Sequence, residues 1–173
     1  MAKAVLISIR PEWVKKILDG EKTLEVRKNR PNMETPFKVY IYCTAGNLSY
    51  EVSSGMFCNI SGGRLVVGEF TCNTVTNLFS NSRFWLNEDD VLQTCLSAAE
   101  IRKYADGANG LYGWHISDLV IYDKPKELCE FKGLCKIEAD CGCCPYYNYT
   151  KMDCDGRTIK RPPQSWCYVE ELK

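Results

Sequence analysis

Eight residues constrain this chain more than any others: Gly20-Glu21-Lys22-Thr23-Leu24-Glu25-Val26-Arg27. They place a cation, an acid and a second cation within six residues, with Leu24 and Val26 alternating between the charges. Successive side chains of a strand point to opposite faces. Leu24 and Val26 can therefore enter a core, while Thr23, Glu25 and Arg27 line the other side. Lys22, at the loop-to-strand junction, is free to lean toward either face. A strand of this kind offers a rigid edge to a polar, anionic ligand.

The residues before it read as a strand over Ala4 to Ile9 and then a helix. Pro11 suits the first helical position, where a missing N–H costs nothing. Trp13, Val14, Ile17 and Leu18 recur at helical spacing as one apolar stripe, which assigns Trp13 to the core. Gly20 supplies the left-handed residue that ends many helices. The chain thus opens as strand, helix, charged strand, with Arg10 and Lys22 at the two ends of the helix.

Gly20, Lys22, Glu25 and Arg27, spaced Gly-x-Lys-x-x-Glu-x-Arg, resemble the signature of the ASCH (activating signal cointegrator homology) domain. Ser8-Ile9-Arg10-Pro11 and the amphipathic helix match that family's opening. Val67-Gly68-Glu69-Phe70 and Gly113-Trp114-His115-Ile116 fit the strands that follow. The resemblance covers residues 3–130 and the final strand, and the Cys-rich segment at 132–160 reads as an insertion into one ASCH-type domain spanning 1–173. ASCH domains belong to the PUA-like superfamily of small β-barrels associated with RNA and nucleotide recognition. The resemblance therefore implies an RNA- or nucleotide-binding module whose Lys22, Glu25 and Arg27 line a cleft between barrel and helix. Lys22 and Arg27 would then contact phosphate, Glu25 would accept from a base amino group, and Arg10 would border the cleft.

The rest of the chain agrees with that architecture. Phe37 to Thr44 alternates with period two as a strand, and Arg64 to Asn73 is another, with Gly68 a bulge or close-approach point. Residues 45–63, rich in Gly, Ser and Asn, read as a turn-rich insertion. Asn87 caps a helix with Val91, Leu92, Cys95 and Leu96 inward, and Ser97-x-x-Glu100 starts a second with Ile101, Tyr104 and Ala105 inward. Leu111 to Ile121 reads as one strand, and Ser165 to Val169 as the last. Five to seven strands with two or three helices, lacking regular βαβ spacing, predict an α+β, barrel-like fold.

Composition bounds the function. The chain has 173 residues, 45% of them hydrophobic, and a formal net charge of zero, which argues against a strongly cationic, nonspecific nucleic-acid binder. Residues 1–40 nevertheless carry nine Lys and Arg against five acids. No apolar run reaches the roughly 18 residues of a membrane span, and no secretory segment is legible, so cytoplasmic residence is expected. Trp114 and Trp166 are candidates to stack on a base, against a core role for each. His115, the only histidine, joins that candidate interface as a surface or partner-bonded residue rather than a general base.

Hydrolysis is the alternative to binding. Some small ASCH relatives are amidohydrolases acting on N4-acetylcytidine, with a Thr nucleophile where this chain has Glu25. Thr23 lies two residues earlier, a displacement of about 6–7 Å along a strand, and attack geometry does not survive such a shift. An enzyme built on this chain would instead use Glu25 as general base for water, with Lys22 and Glu69.

Six of the eleven cysteines crowd together: Cys135, Cys141, Cys143, Cys144, Cys154 and Cys167. Cys141, Cys143, Cys144 and Cys154 are candidate thiolate ligands of a structural zinc, and a loop of free thiols is the competing reading. Elemental analysis of protein purified under reducing conditions separates the two. Zinc predicts close to one equivalent per chain, and less than about a tenth of an equivalent excludes it.

Overall fold

The computed structural model describes residues 2–52, 55–80, 83–134, 147–148, 150, 153–154 and 157–172. The zinc candidates Cys141, Cys143 and Cys144 lie outside the described residues, as do the side chain of Cys154 and most of the insertion expected at 132–160.

The opening follows the sequence reading: strand β1 (Lys3–Ile9), helix α1 (Pro11–Leu18) and strand β2 (Leu24–Arg27). Then come β3 (Phe37–Cys43), β4 (Leu48–Glu51), β5 (Phe57–Ile60), β6 (Leu65–Cys72), β7 (Val75–Ser80) and β8 (Arg83–Phe84). Helices α2 (Glu88–Thr94) and α3 (Ala98–Ala105) precede β9 (Gly110–His115) and β10 (Ser117–Lys126). A 3-10 turn (Leu128–Glu130), the short strands β11 (Tyr147–Asn148) and β12 (Asp153–Cys154), and β13 (Trp166–Glu170) complete the described elements.

Two larger sheets organise this α+β fold. One is mixed, in the order β10-β6-β3-β1-β13, with β1 parallel to β3, and the other runs β2-β9-β7-β8. Neither closes on itself, so the expected barrel is an open, two-sheet form of it. The sheets are joined by chain segments that leave one and enter the other. The strand expected from Arg64 to Asn73 forms as β6, and after Asn73 and Thr74 the chain continues as β7 in the other sheet. The expected strand Leu111 to Ile121 divides at Ile116, into β9 and β10. Asp118 takes φ +47° just after that corner.

The mixed sheet is buried on both faces, because β1 is apolar on both. Val5, Ile7 and Ile9 enter a core shared with Val14, Ile17 and Leu18 of α1, Val39, Ile41 and Trp114. Ala4 and Leu6 face the other way, onto Tyr40, Val66, Phe131 and Val169. A third cluster packs Leu24 and Val26 of β2 against Leu78, Leu111, Ile101 and Ala105. Each such aliphatic side chain, fully buried, contributes about 1.5–3 kcal/mol.

Two sequence expectations fail for reasons of packing. Residues 45–63 are not simply turns: β4 pairs with β5, and Leu48, Tyr50 and Ile60 enter the first core. Leu92, expected inward, is 77% exposed, and α2 buries Asp90 and Thr94 instead, with the Thr94 carbonyl turned to Lys22. Outside the crowded six, Cys43 and Cys72 are buried in β3 and β6, whereas Cys129 is exposed. Burial pushes the Cys43 thiol up to about 11 and the Cys72 thiol to about 12.

Gly68 is a close-approach point, as its sequence context implies. It sits between Ile41 and Ile121, where the register of both pairings shifts. A Cβ there would stand 2.5 Å from the Val120 carbonyl oxygen, on backbone that cannot swing aside. Gly68→Ala is expected to cost about 1–3 kcal/mol of unfolding free energy in a urea titration. A midpoint equal to the parent's would refute this account of the β6–β10 contact.

Candidate functional site

The charges of the eight-residue motif converge. Glu25 opposes Trp114 and Arg27 opposes Tyr112 in the antiparallel β2–β9 pairing, so these four side chains share one face. That face looks toward α1 and the end of β1. Lys22, Glu25 and Arg27 are only 3%, 6% and 9% exposed, which rules out a solvated strand face.

Hydrogen bonds account for this burial. Arg27 donates to Glu25 Oε1 through both Nε and Nη2, each at 2.9 Å. Its Nη2 also donates to the Ser8 carbonyl at 2.8 Å, and Nη1 to the Ser165 hydroxyl at 3.3 Å. Lys22 Nζ donates to the carbonyls of Leu24 and Thr94, both at 2.9 Å, and lies 3.4 Å from Glu25 Oε2. Glu25 is thus held between two cations, and both cations are already spent on protein acceptors. A buried charge is tolerable only when paired and hydrogen-bonded in this way.

Next to this triad the packing leaves a cleft of about 440 Å³, bordered by Arg10, Trp13, Lys22, Glu25, Arg27 and Tyr104 among others. Each element brings one wall. α1 presents Trp13, whose ring centroid lies 5.5 Å from Lys22 Nζ. α3 begins with a capping box, in which Ser97 and Glu100 bond reciprocally, and presents Tyr104, 41% exposed. Lys28 Nζ stands 5.3 Å from the Tyr104 ring centroid and donates to the Asp106 carbonyl. The Ser97 hydroxyl and amide hold the Glu100 carboxyl at the rim below its usual pKa. Arg10, exposed at the start of α1, has no ion-pair partner among the described residues.

Of the residues expected at the site, the structure brings Arg10, Lys22, Glu25 and Arg27 together at this cleft. It does not bring the others there. Trp114 is fully buried behind the charges, edge-on to Phe37 and Trp166, with its indole N–H unpartnered. Trp166 is half-buried between Trp114 and Tyr168. His115 alternates to the opposite face of β9 and shares a 2.7 Å hydrogen bond with Thr76 Oγ1. Glu69 lies on β6 in a separate network, 2.9 Å from Lys38 Nζ and accepting from the Tyr122 hydroxyl at 2.5 Å. Glu69 is not among the residues that border the cleft with Glu25.

Two aromatic walls escape a simple sequence reading. Both Trp13, which also packs against the first core, and Tyr104, which is exposed, border the cleft. At about 100° per residue, each falls at the margin of its helix's apolar arc rather than its centre, which is the legible signal. The carbonyls of Ser8 and Thr94 carry no such signal, since backbone acceptors look alike in any sequence.

An ASCH domain model matches residues 7–138 of this chain. The chain belongs to the ASCH domain family, which is commonly associated with RNA binding. Among solved structures, an ASCH protein from Zymomonas mobilis is 21% identical, covering 97% of this chain and 88% of that one at a TM-score of 0.58. Two point mutants from the same organism, each 19% identical at a TM-score of 0.59, cover 97% and 98% of this chain and 89% and 92% of theirs. At this identity the likeness shows the PUA-like fold. Comparison with curated proteins yields no match. No helix among the described residues is long and apolar enough to cross a membrane, and no group of three or more His, Cys, Asp or Glu among them is placed to hold a metal ion.

The triad's burial has a measurable consequence. Glu25→Ala leaves Lys22 and Arg27 as uncompensated buried cations and is expected to cost about 3–5 kcal/mol of stability. Lys103→Ala, on the exposed side of α3, should leave the denaturation curve within about 0.5 kcal/mol of the parent. Equal curves for the two variants would contradict the buried-triad description.

Proposed function

We propose that this ASCH domain is a binding module that takes a nucleotide of single-stranded RNA into the cleft. The observation that carries the reading is the meeting, in one cleft of about 440 Å³, of a hydrogen-bonded charged floor, two aromatic walls and an uncommitted cation. Ligand clefts commonly measure about 300–1,000 Å³, and this one suits one or two nucleotide units rather than a duplex. Trp13 and Tyr104 offer faces against which an unstacked base can lie, a contribution of about 1–3 kcal/mol per base.

The division of labour differs from the motif's first reading. Lys22 and Arg27 are occupied by Glu25 and by backbone carbonyls. Phosphate contact accordingly falls to Arg10, and the triad serves as a pre-organised floor whose Glu25 accepts from the base. Hydrolysis is disfavoured on the same ground: Lys22 has an acceptor for each of its three N–H groups, and Glu69, the other carboxylate of that scheme, is elsewhere.

Fluorescence anisotropy with short single-stranded RNAs tests this. Tyr104→Ala is expected to weaken binding by about 1–3 kcal/mol. Arg10→Ala should reduce the log–log salt slope by about 0.7, the amount for one phosphate contact on a single strand. If both variants kept the parent's affinity and slope, the cleft assignment would fail. Binding of free nucleotides as tight as that of oligonucleotides would move the reading from RNA to a small-molecule ligand.

A further inference from the structure

An edge strand leaves half of its backbone groups unpaired, and β2 stands at one end of the sheet β2-β9-β7-β8. Opposed residues of an antiparallel pair alternate between exchanging both hydrogen bonds and exchanging none. The Ile116 amide donates to the Thr23 carbonyl at 2.9 Å, and these two residues stand one step beyond the Leu24–His115 pair. By that alternation Glu25 and Arg27 bond β9, opposite Trp114 and Tyr112. Leu24 and Val26 turn their amides and carbonyls the other way. The Leu24 carbonyl agrees, since it accepts from Lys22 Nζ at 2.9 Å.

Val26 has no such partner. Its amide and carbonyl meet no donor or acceptor among the described residues outside the ladder. Its side chain packs with Leu24, Leu78 and Ile101 in the third cluster, and the residue is only 6% exposed, yet it borders the cleft. What Val26 presents there is its outward backbone edge, one donor and one acceptor whose direction the β2–β9 ladder fixes. Backbone groups this shielded are paired in nearly all proteins, with protein, water or ligand. Two features say what completes the pair. Lys22 already occupies the Leu24 carbonyl and β2 ends at Arg27, so a single residue is open, too short a run for an added peptide strand. Trp13 and Tyr104 border the same opening and suit a flat ligand.

Resting on the nucleotide reading of the cleft, we propose that the backbone of Val26 binds the base edge-on, its amide donating to a base acceptor and its carbonyl accepting from the neighbouring base N–H. Every base carries such an adjacent pair on its Watson–Crick edge: O4 with N3–H in uracil, N3 with the N4 amino group in cytosine, N1 with the N6 amino group in adenine, and O6 with N1–H in guanine. In a pyrimidine no other edge holds a donor. The site therefore accepts an unpaired base and refuses one whose Watson–Crick edge is engaged in a duplex or blocked by methylation. A blocked edge would leave both Val26 groups unpaired in a cleft partly shielded from water.

Labelled hexamers of uridine, 3-methyluridine and 5-methyluridine, titrated onto the full chain by anisotropy at fixed salt, test this. The two methyl groups add equal bulk, but only the one at N3 removes the donor of the Watson–Crick edge. The 3-methyluridine hexamer is expected to bind about tenfold more weakly than the uridine hexamer, the scale of one matched hydrogen-bonded pair. The 5-methyluridine hexamer should bind like the uridine one. Amide hydrogen exchange reads Val26 directly and needs no substitution. In the free protein the Val26 amide should exchange faster than those of Glu25 and Arg27, which the ladder protects. Saturation with the uridine hexamer should slow it, and saturation with the 3-methyluridine hexamer should not. Equal affinity for these two hexamers overturns the inference, as does a Val26 amide whose exchange the bound uridine hexamer leaves unchanged; in either case the RNA-binding reading stands. A chain that binds none of the three hexamers sinks that reading and this inference with it.

Discussion

The Glu25 carboxylate, held between Arg27 and Lys22, is the interaction on which the arrangement of this domain turns. It lies on a strand whose other face is committed to an apolar cluster through Leu24 and Val26. The charged face cannot turn to water without exposing those two residues, because a strand alternates strictly. The charges are buried, and every element around them must supply a polar partner. β1 gives the Ser8 carbonyl, α2 ends with the Thr94 carbonyl, and the segment before β13 gives the Ser165 hydroxyl. Desolvating three charges offsets much of their mutual attraction, so the cluster's main effect is positional. It fixes four segments, distant in sequence, around one point.

Apolar packing explains why a cleft remains at that point. Trp114 and α1's Val14 and Ile17 fill the space between the sheets up to the charged residues. Beside them the cleft is lined by Ile9, Val26 and Leu96 together with the charged residues. The corners at Asn73–Thr74 and at Ile116 carry the chain from one sheet to the other and keep them in register.

The far side of the mixed sheet shows the contrast. Lys38 bridges Glu69 at 2.9 Å and Glu171 at 3.2 Å, and those carboxylates raise its pKa. Burial together with Glu69 pushes the Tyr122 hydroxyl well above its usual range, and the Leu172 amide donates to Tyr40. This network also consumes its polar groups internally. It fastens the C-terminal residues to β3 and β6, and nothing in it faces the cleft.

Much of the fold was legible because periodicity reports local geometry. The order strand, helix, charged strand, the cap at Asn87, the capping box at Ser97 and the close approach at Gly68 each follow from residues near one another in the chain. The sequence also determined that Glu25 and Arg27 share a face and that Arg10 stands at the head of α1. It could not say whether that face would be wet or dry, since burial depends on what another segment places over it. Only the tertiary structure spent Lys22 and Arg27 on carbonyls 72 and 19 residues away, set Trp13 at the edge of the core and Tyr104 outside it as cleft walls, and carried Gln164 to the same opening. Those decisions rest on long-range contacts with backbone acceptors, and a backbone carbonyl leaves no mark in the residue code.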